Sequence, residues 1–462
     1  MFTVEDILKA TGGRLLRGEK GSVFSGVSID SRTIKSGELF IALKGNRLDG
    51  HDFIEDAAKN DAAGVIISSP FTIHGSQLKE KAVMTVDDTL SALQKIAHYW
   101  RMKFDIPVVA VTGTNGKTTT KEMIASIIKT MMPVLSTEGN LNNHIGVPLT
   151  LLRLRESHRI AVIEMGMSNT GEIKRLCEIS VPTIGVITNI GPAHLATLGN
   201  IENVLKAKME LAESVSDTLI INADDPYLSS FRLQTSDFRL LTFGFGESAD
   251  VKAEVLKDIH LSLPGRHNIY NALASYAVAI ALGIDIEKIK SGLESFKSVK
   301  GRSEILEIKG RKIINDSYNA NPKSMESAIE LLLSMKGNGK AVAVLGDMFE
   351  LGAAGEDAHK ALGSYIADIK KIDIFIAVGT LMSIAADKAK EAGMQEDSVL
   401  LFGDPEDVAE VIMNITDKGD TVLVKGSRAM AMERIIERIE DCEAIGGRET
   451  LERDISFKKV GV

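Results

Sequence analysis

From Ile106 onward the chain repeats one pattern: a short unbroken apolar run, a turn, then an amphipathic stretch long enough for a helix. The runs are IPVVAVTG, RIAVIEMG, TIGVITNIG and TLIINADD, and TTTKEMIASIIKTM, TGEIKRLCEIS and NVLKAKMELAESV lie between them. Runs without polar alternation suit strands buried on both faces. Strands of that kind separated by helices form a mostly parallel sheet with crossover connections. After LPGRHNIYNALASYAVAIALG and SFKSVKGRSEI the alternation restarts with RKIINDS, KAVAVLGDM, DIFIAVG and DTVLVKGS, separated by helical PKSMESAIELLLSM, HKALGSYIADI and PEDVAEVIMNI and followed by AMERIIERIE. The expected fold class is α/β throughout, with a central P-loop-type sheet and a second, smaller, doubly wound Rossmann-like domain.

Ahead of these regions, VFSGVSIDSR and GELFIAL read as strands, FIEDAAKNDAAGVIISS as a helix followed by a strand, and DTLSALQKIAHYWRMKF as an amphipathic helix. A chain of 462 residues exceeds a single core. Three domains are expected, over 1–103, 104–300 and 301–462. No short internal repeat or low-complexity tract interrupts them.

Net charge is -9, from 63 acidic and 54 basic residues with no dense Lys/Arg block, which argues against nucleic acid as the main partner. Cys177 and Cys442 lie far apart and form no C-x-x-C, so a reducing compartment is expected and a thiolate zinc cage is excluded. Both read as packed helix residues. The start of the chain has no signal-like apolar core, and no run approaches the ~18 apolar residues of a membrane span. A cytoplasmic monomer without a membrane anchor is the expectation.

Between IPVVAV and its following helix stands TGTNGKTTT, which ends like a phosphate-binding loop but has Val111 where G-x-x-x-x-G-K-[ST] has its first glycine. Gly113 and Gly116 let backbone N–H groups turn inward, and the helix N-terminus adds partial positive charge. Lys117 can reach terminal phosphates and Thr118 can hold Mg2+. The alternative is a glycine-rich turn with a solvated lysine, and the strand before and helix after it favour a nucleotide.

TGTNGKTTT resembles the ATP loop of the Mur ligase superfamily, which is shorter at its front than the general P-loop and so accounts for Val111. The resemblance runs along the whole chain. SIDSRTIKSGELFIALKGNRLDGHDF, EGNLNNHIGVPLTLL, AVIEMGMS, TNIGPAHL, NVLKAKMEL, GRHNIYNALAS, GRSE, NDSYNANPKSM, GDMFELG and VKGSRAM follow in the family's order. Within the family, Tyr318, Asn319, Asn321 and Pro322 of NDSYNANPKSM are similar to the pattern of members that add a dipeptide. The implied reaction joins D-alanyl-D-alanine to UDP-N-acetylmuramoyl-tripeptide through an acyl phosphate, with ATP cleaved. Rival readings are a family member that adds the third amino acid, a folate polyglutamate ligase, a P-loop GTPase or kinase, and a silent binding module.

The resemblance also implies roles for individual residues. ATP would contact Gly113, Thr114, Asn115, Gly116, Lys117, Thr118, Thr119 and Asn271, with Arg302 reaching phosphate and Asp316 the ribose once the C-terminal domain closes. Mg2+, as two ions, would be held by Thr118, Glu164, His194 and Lys208, the last carbamylated by CO2, with Lys206 as its rival. Lys117, His194 and Lys208 form the implied catalytic set. Ser31, Arg32, Asp49 and His51 would meet the UDP substrate, and Asn142 and Asn143 would bind ATP or sugar. Tyr318, Asn319, Asn321, Lys425, Ser427 and Arg428 would serve the incoming peptide or dipeptide. On residue chemistry alone the asparagines also read as turn formers, and His267 and Asn268 as helix caps.

Overall fold

The computed structural model describes residues 2–70, 78–229, 231 and 238–445, the side chains of 442–445 excepted, so Cys442 lies outside the described side chains. The chain divides into two compact units, Met1–Lys297 and Ser298–Val462.

The first unit holds two larger sheets. Five strands run in the order Arg14–Arg17, Ala82–Val86, Gly64–Ser68, Leu39–Ile41 and Val27–Ser28, the first pair antiparallel and the rest parallel. Alternation along each strand sends residues to opposite faces. Phe40, Val65, Ile67 and Val83 therefore pack in one core with helix Ile54–Lys59, while Leu39, Ile41, Ile66 and Met84 join another. That second core continues past Trp100 into the next sheet through Val108, Ala110, Ala161 and Ile163.

The central sheet has seven parallel strands in the order Val251–Lys252, Arg239–Gly244, Thr218–Asn222, Ile184–Ile187, Val108–Thr112, Ile160–Glu164 and Val134–Ser136. Every residue of Val108–Thr112, Ile160–Glu164, Ile184–Ile187 and Thr218–Asn222 is buried, which is why these runs lack polar alternation. Winding reverses at Val108–Thr112. The two strands that follow it in sequence lie on one side and those from Ile184 onward on the other. Such a switch point opens a crevice at the carboxyl ends of the strands. The short strands Val134–Ser136 and Val251–Lys252, and Arg239–Gly244 beside the latter, were not read as strands from the sequence.

The second unit contains six strands in the order Glu304–Ile308, Arg311–Asp316, Thr421–Lys425, Ala341–Gly346, Ile374–Val378 and Val399–Phe402, parallel except for the first pair. Ala341, Ala343, Leu345, Phe375 and Ala377 pack on one face, Val342, Val344, Ile376 and Val378 on the other. Both faces are therefore covered, as a doubly wound sheet requires. The antiparallel edge strand Glu304–Ile308 begins at the end of SFKSVKGRSEI, just after the boundary expected at residue 300, and was not read as a strand from sequence.

Helix Thr89–Arg101 links the two sheets of the first unit through directed bonds as well as apolar packing. Trp100 Nε1 donates to Leu154 O at 3.2 Å. The buried Arg101 guanidinium donates to Ser180 O at 3.0 Å, Phe104 O at 2.6 Å and Ile106 O at 3.0 Å. Arg101→Met would leave these carbonyls unpaired and should lower unfolding free energy by about 3 kcal/mol, measurable by denaturant titration.

Candidate active site

Three connections leave adjacent strand ends of the central sheet: the loop after Thr112, the loop after Ile187 and the turn after Glu164. Gly113 lies at φ 144°, and a Cβ there would fall 1.9 Å from Thr188 Oγ1. Gly116 lies at φ 82° and precedes helix Lys117–Lys129, which no side chain caps. A Cβ on Gly116 would fall 2.3 Å from Asn271 Oδ1. Only glycine fits both positions, and the uncapped helix start directs backbone N–H groups towards an anion.

The second loop braces the first. Thr114 N donates to Asn189 O at 2.9 Å, Asn115 N to Asn189 Oδ1 at 2.9 Å, and Thr188 Oγ1 to Asn115 O at 2.6 Å. Gly191 N donates to Thr114 Oγ1 at 2.9 Å, and Ile190 N to Asp225 Oδ2 at 2.8 Å. Thr188 and Asn189 stand in TNIGPAHL, from which sequence reasoning singled out only the histidine. That histidine, His194, is partly exposed at φ 55° and immediately precedes the short helix Leu195–Leu198. Thr119 is buried in the first turn of helix Lys117–Lys129.

Lys117 folds over its own loop, donating to Gly113 O at 2.8 Å and Thr114 O at 3.1 Å. Glu164, 1% exposed, is the centre of the site. Its Oε2 accepts from Thr118 Oγ1 and its Oε1 from Asn142 Nδ2, each at 2.8 Å, and its N–H donates to Thr137 Oγ1 at 3.0 Å. No Lys, Arg or His forms an ion pair with it among the described residues. A buried carboxylate held only by neutral donors, beside a threonine hydroxyl, is the hard-oxygen set that suits Mg2+ completed by phosphate and water. Among the described residues no group of three or more His, Cys, Asp or Glu stands where it could hold a metal ion.

Lys208 is 2% exposed on helix Ile201–Met209. Burial first, and then the charge of Lys117, hold its ammonium well below the usual lysine range. Its neighbour Lys206 is exposed, which separates two lysines that the sequence left as rivals. The structure brings together Thr118, Glu164 and Asn142, with Lys208 within electrostatic reach of Lys117.

Other candidates take structural partners. Asn143 Oδ1 accepts from Gly146 N at 2.9 Å and Ile145 N at 3.1 Å, at the start of helix Gly146–Leu151. Asn271 accepts from Thr120 Oγ1 at 3.3 Å and donates to Asn268 Oδ1 at 3.1 Å, which ties helix Arg266–Ala281 to the nucleotide helix. His51 Nε2 accepts from Ser68 N at 2.9 Å, which leaves the Nδ1 proton for Asp49 at 2.6 Å. Ser31 is buried, its carbonyl accepting from Asn60 Nδ2 at 2.8 Å, while exposed Arg32 pairs with Asp30 at 2.7 Å.

In the second unit a separate cluster forms at the ends of Arg311–Asp316 and Thr421–Lys425. Buried Lys425 pairs with Asp316 at 2.6 Å and donates to Asn319 O at 2.8 Å, while Ser303 N donates to Asp316 Oδ1 at 2.9 Å. The guanidinium carbons of Arg302 and Arg428 lie 3.9 Å and 5.9 Å from the Tyr318 ring centre. Ser427 Oγ accepts from Phe349 N at 2.8 Å, and Asn321 caps helix Pro322–Met335. Arg302, assigned to phosphate from sequence, here stacks on an aromatic ring.

Three family models match the chain: "Mur ligase family, catalytic domain" over 23–101, "Mur ligase middle domain" over 111–279 and "Mur ligase, glutamate ligase domain" over 301–428. The chain is 37% identical over 454 residues to UDP-N-acetylmuramoyl-tripeptide--D-alanyl-D-alanine ligase of Bacillus subtilis, covering 94% of this chain and 97% of that protein. It is 33% identical to the protein of the same name from Escherichia coli, with 90% and 93% covered. Among solved structures it is similar to MurF from Acinetobacter baumannii, with a TM-score of 0.84, 31% identity and coverage of 95% and 99%. MurF of Thermotoga maritima in complex with ADP matches with a TM-score of 0.77, 31% identity and coverage of 90% and 97%.

Gly116→Ala should weaken ADP binding about tenfold or more in calorimetry, since the new methyl must displace Asn271 and hold an unfavourable φ. Gly139→Ala, also at positive φ but outside this loop and with open space around it, controls for a general loss of stability and should leave ADP affinity unchanged.

Proposed function

The chain belongs to the Mur ligase family, and we propose that it joins D-alanyl-D-alanine to UDP-N-acetylmuramoyl-tripeptide at the expense of ATP, a step of peptidoglycan synthesis. The observation that carries the reading is the buried Thr118–Glu164–Asn142 cluster beside an uncapped helix start, in a chain that aligns almost end to end with dipeptide-adding ligases. The same alignment disfavours a third-residue ligase or a folate polyglutamate ligase.

The tripeptide carboxylate and the γ-phosphate repel each other, so cations must gather where they meet. A carboxylate oxygen attacks the γ-phosphorus, ADP leaves, and an acyl phosphate results. The free amine of D-alanyl-D-alanine then attacks the acyl carbon, losing a proton as inorganic phosphate departs. Lys117 leaves its loop carbonyls for the phosphates and offsets charge in both steps. Backbone N–H groups of Gly113 to Thr119 cradle the polyphosphate. Mg2+, when bound, supplies further charge neutralisation. Thr118 and Glu164 would hold one ion, and His194 with carbamylated Lys208 a second.

Carbamylation requires a neutral amine, and the depression of Lys208 by burial and by Lys117 favours that form. We assign residues 1–103 to the UDP substrate through Ser31, Arg32, Asp49 and His51, 104–300 to ATP, and 301–462 to the dipeptide through Tyr318, Asn319, Asn321, Lys425, Ser427 and Arg428. Arg302, Asp316 and Asn271 are assigned to the nucleotide, and Asn142 and Asn143 to ATP or sugar. No helix among the described residues is long and apolar enough to cross a membrane. A cytoplasmic monomer fits this reading.

Incubation with ATP, UDP-N-acetylmuramoyl-tripeptide and D-alanyl-D-alanine should release phosphate only when all three are present. Release with a free amino acid in place of the dipeptide, and none with the dipeptide, would sink the specificity while leaving the family intact.

Lys208 also makes a stability prediction. Its folded pKa lies below the unfolded value of 10.5, so the unfolded chain binds the extra proton between the two values and stability rises with pH across that window. Without CO2, Lys208→Met should be more stable than wild type at pH 7, and the gap should close as pH approaches 10.5. A gap independent of pH would refute the neutral amine.

A further inference from the structure

We propose that Lys121 is a positioning residue for the Glu164 carboxylate, acting through Thr137. The inference deepens the proposed function and rests on it only in taking Glu164 as a magnesium ligand.

Lys121 lies one turn beyond Lys117 on helix Lys117–Lys129 and is 0% exposed. Its ammonium donates to Thr137 O at 2.7 Å and pairs with the Glu122 carboxylate. Thr137, also fully buried, accepts the Glu164 N–H on its hydroxyl at 3.0 Å and donates its own N–H to Val162 O at 3.1 Å. One residue is thus gripped by a helix lysine through its carbonyl and grips the metal-site strand through its hydroxyl.

Thr118 and Lys121 stand three apart on this helix, a spacing that places them on one side. Thr118 bonds Glu164 directly through Oε2, whereas Lys121 reaches its backbone through Thr137. Asn142 bonds the other carboxylate oxygen, and its own carbonyl accepts from Gly166 N at 2.8 Å. The carboxylate is therefore oriented from two sides while its peptide unit is fixed from behind.

Burying an ammonium is costly even when it is paired, and an apolar side chain of similar length would fill the space without that cost. What the ammonium adds is direction: a short bond to the residue whose hydroxyl accepts the Glu164 N–H. Outer partners of this kind commonly change metal affinity about tenfold or more when removed.

The test uses the full chain with Mn2+ as the probe. Bound Mn2+ is measured by electron paramagnetic resonance in the presence of ADP, and ADP affinity by calorimetry in excess EDTA. Lys121→Met and Thr137→Val should each weaken Mn2+ binding about tenfold with ADP affinity in EDTA unchanged, and Thr137→Ser should retain wild-type Mn2+ affinity. If Lys121→Met does not fold, the Thr137 pair decides. Unchanged Mn2+ affinity in Lys121→Met and Thr137→Val overturns the proposal. So does an equal loss of ADP affinity in EDTA, which marks a loosened nucleotide helix. Wild-type protein that binds no Mn2+ with ADP would refute the metal reading and this inference together. Failure of the phosphate-release assay with D-alanyl-D-alanine would leave the Lys121 result standing.

Discussion

Glu164 is a carboxylate buried at the end of a parallel strand, with neutral donors on both oxygens and no ion-pair partner among the described residues. Such a group is costly unless a cation or a full set of hydrogen bonds compensates it. The rest of the site is arranged around that requirement. Thr118 comes from the nucleotide helix, Asn142 from the loop after Val134–Ser136, and Thr137 from the same connection. Three chain segments far apart in sequence converge because the switch point at Val108–Thr112 places their strand ends side by side.

The nucleotide loop meets a second constraint, backbone approach. Thr188 and Asn271 stand where side chains on Gly113 and Gly116 would be, so the loop is pressed between the TNIGPAHL connection and helix Arg266–Ala281. Lys117 is bonded to its own loop carbonyls. Its field also reaches Lys208, and this repulsion adds to burial in favouring the neutral amine.

Much of the fold was legible because both-face burial leaves a mark on sequence: Val108–Thr112, Ile160–Glu164 and Ala341–Gly346 are apolar up to their last residue. Edge strands such as Val134–Ser136 bury fewer residues and left no such mark. Candidate site residues were legible where a motif names them, as with Gly113 to Thr118. Thr137, Lys121 and Asn189 were missed because their contribution is a hydrogen bond to a distant segment, and no local pattern encodes that. Asn143, His51 and Asn271 show the converse: residues quoted from motifs whose side chains here are engaged in capping a helix, bridging a turn to a strand and tying two helices.

By itself the sequence determined the α/β class and the phosphate loop, which follow from local residue types and periodicity, while the family and its chemistry entered through the resemblance of ordered motifs along the chain. Tertiary structure alone decided which lysine is buried, which asparagine reaches Glu164 and which accepts from a helix start, and where Arg302 rests. Lys206 and Lys208 differ by two positions on one helix and so point in different directions, one to water and one to the interior. Burial of that kind depends on what the rest of the chain packs against each face.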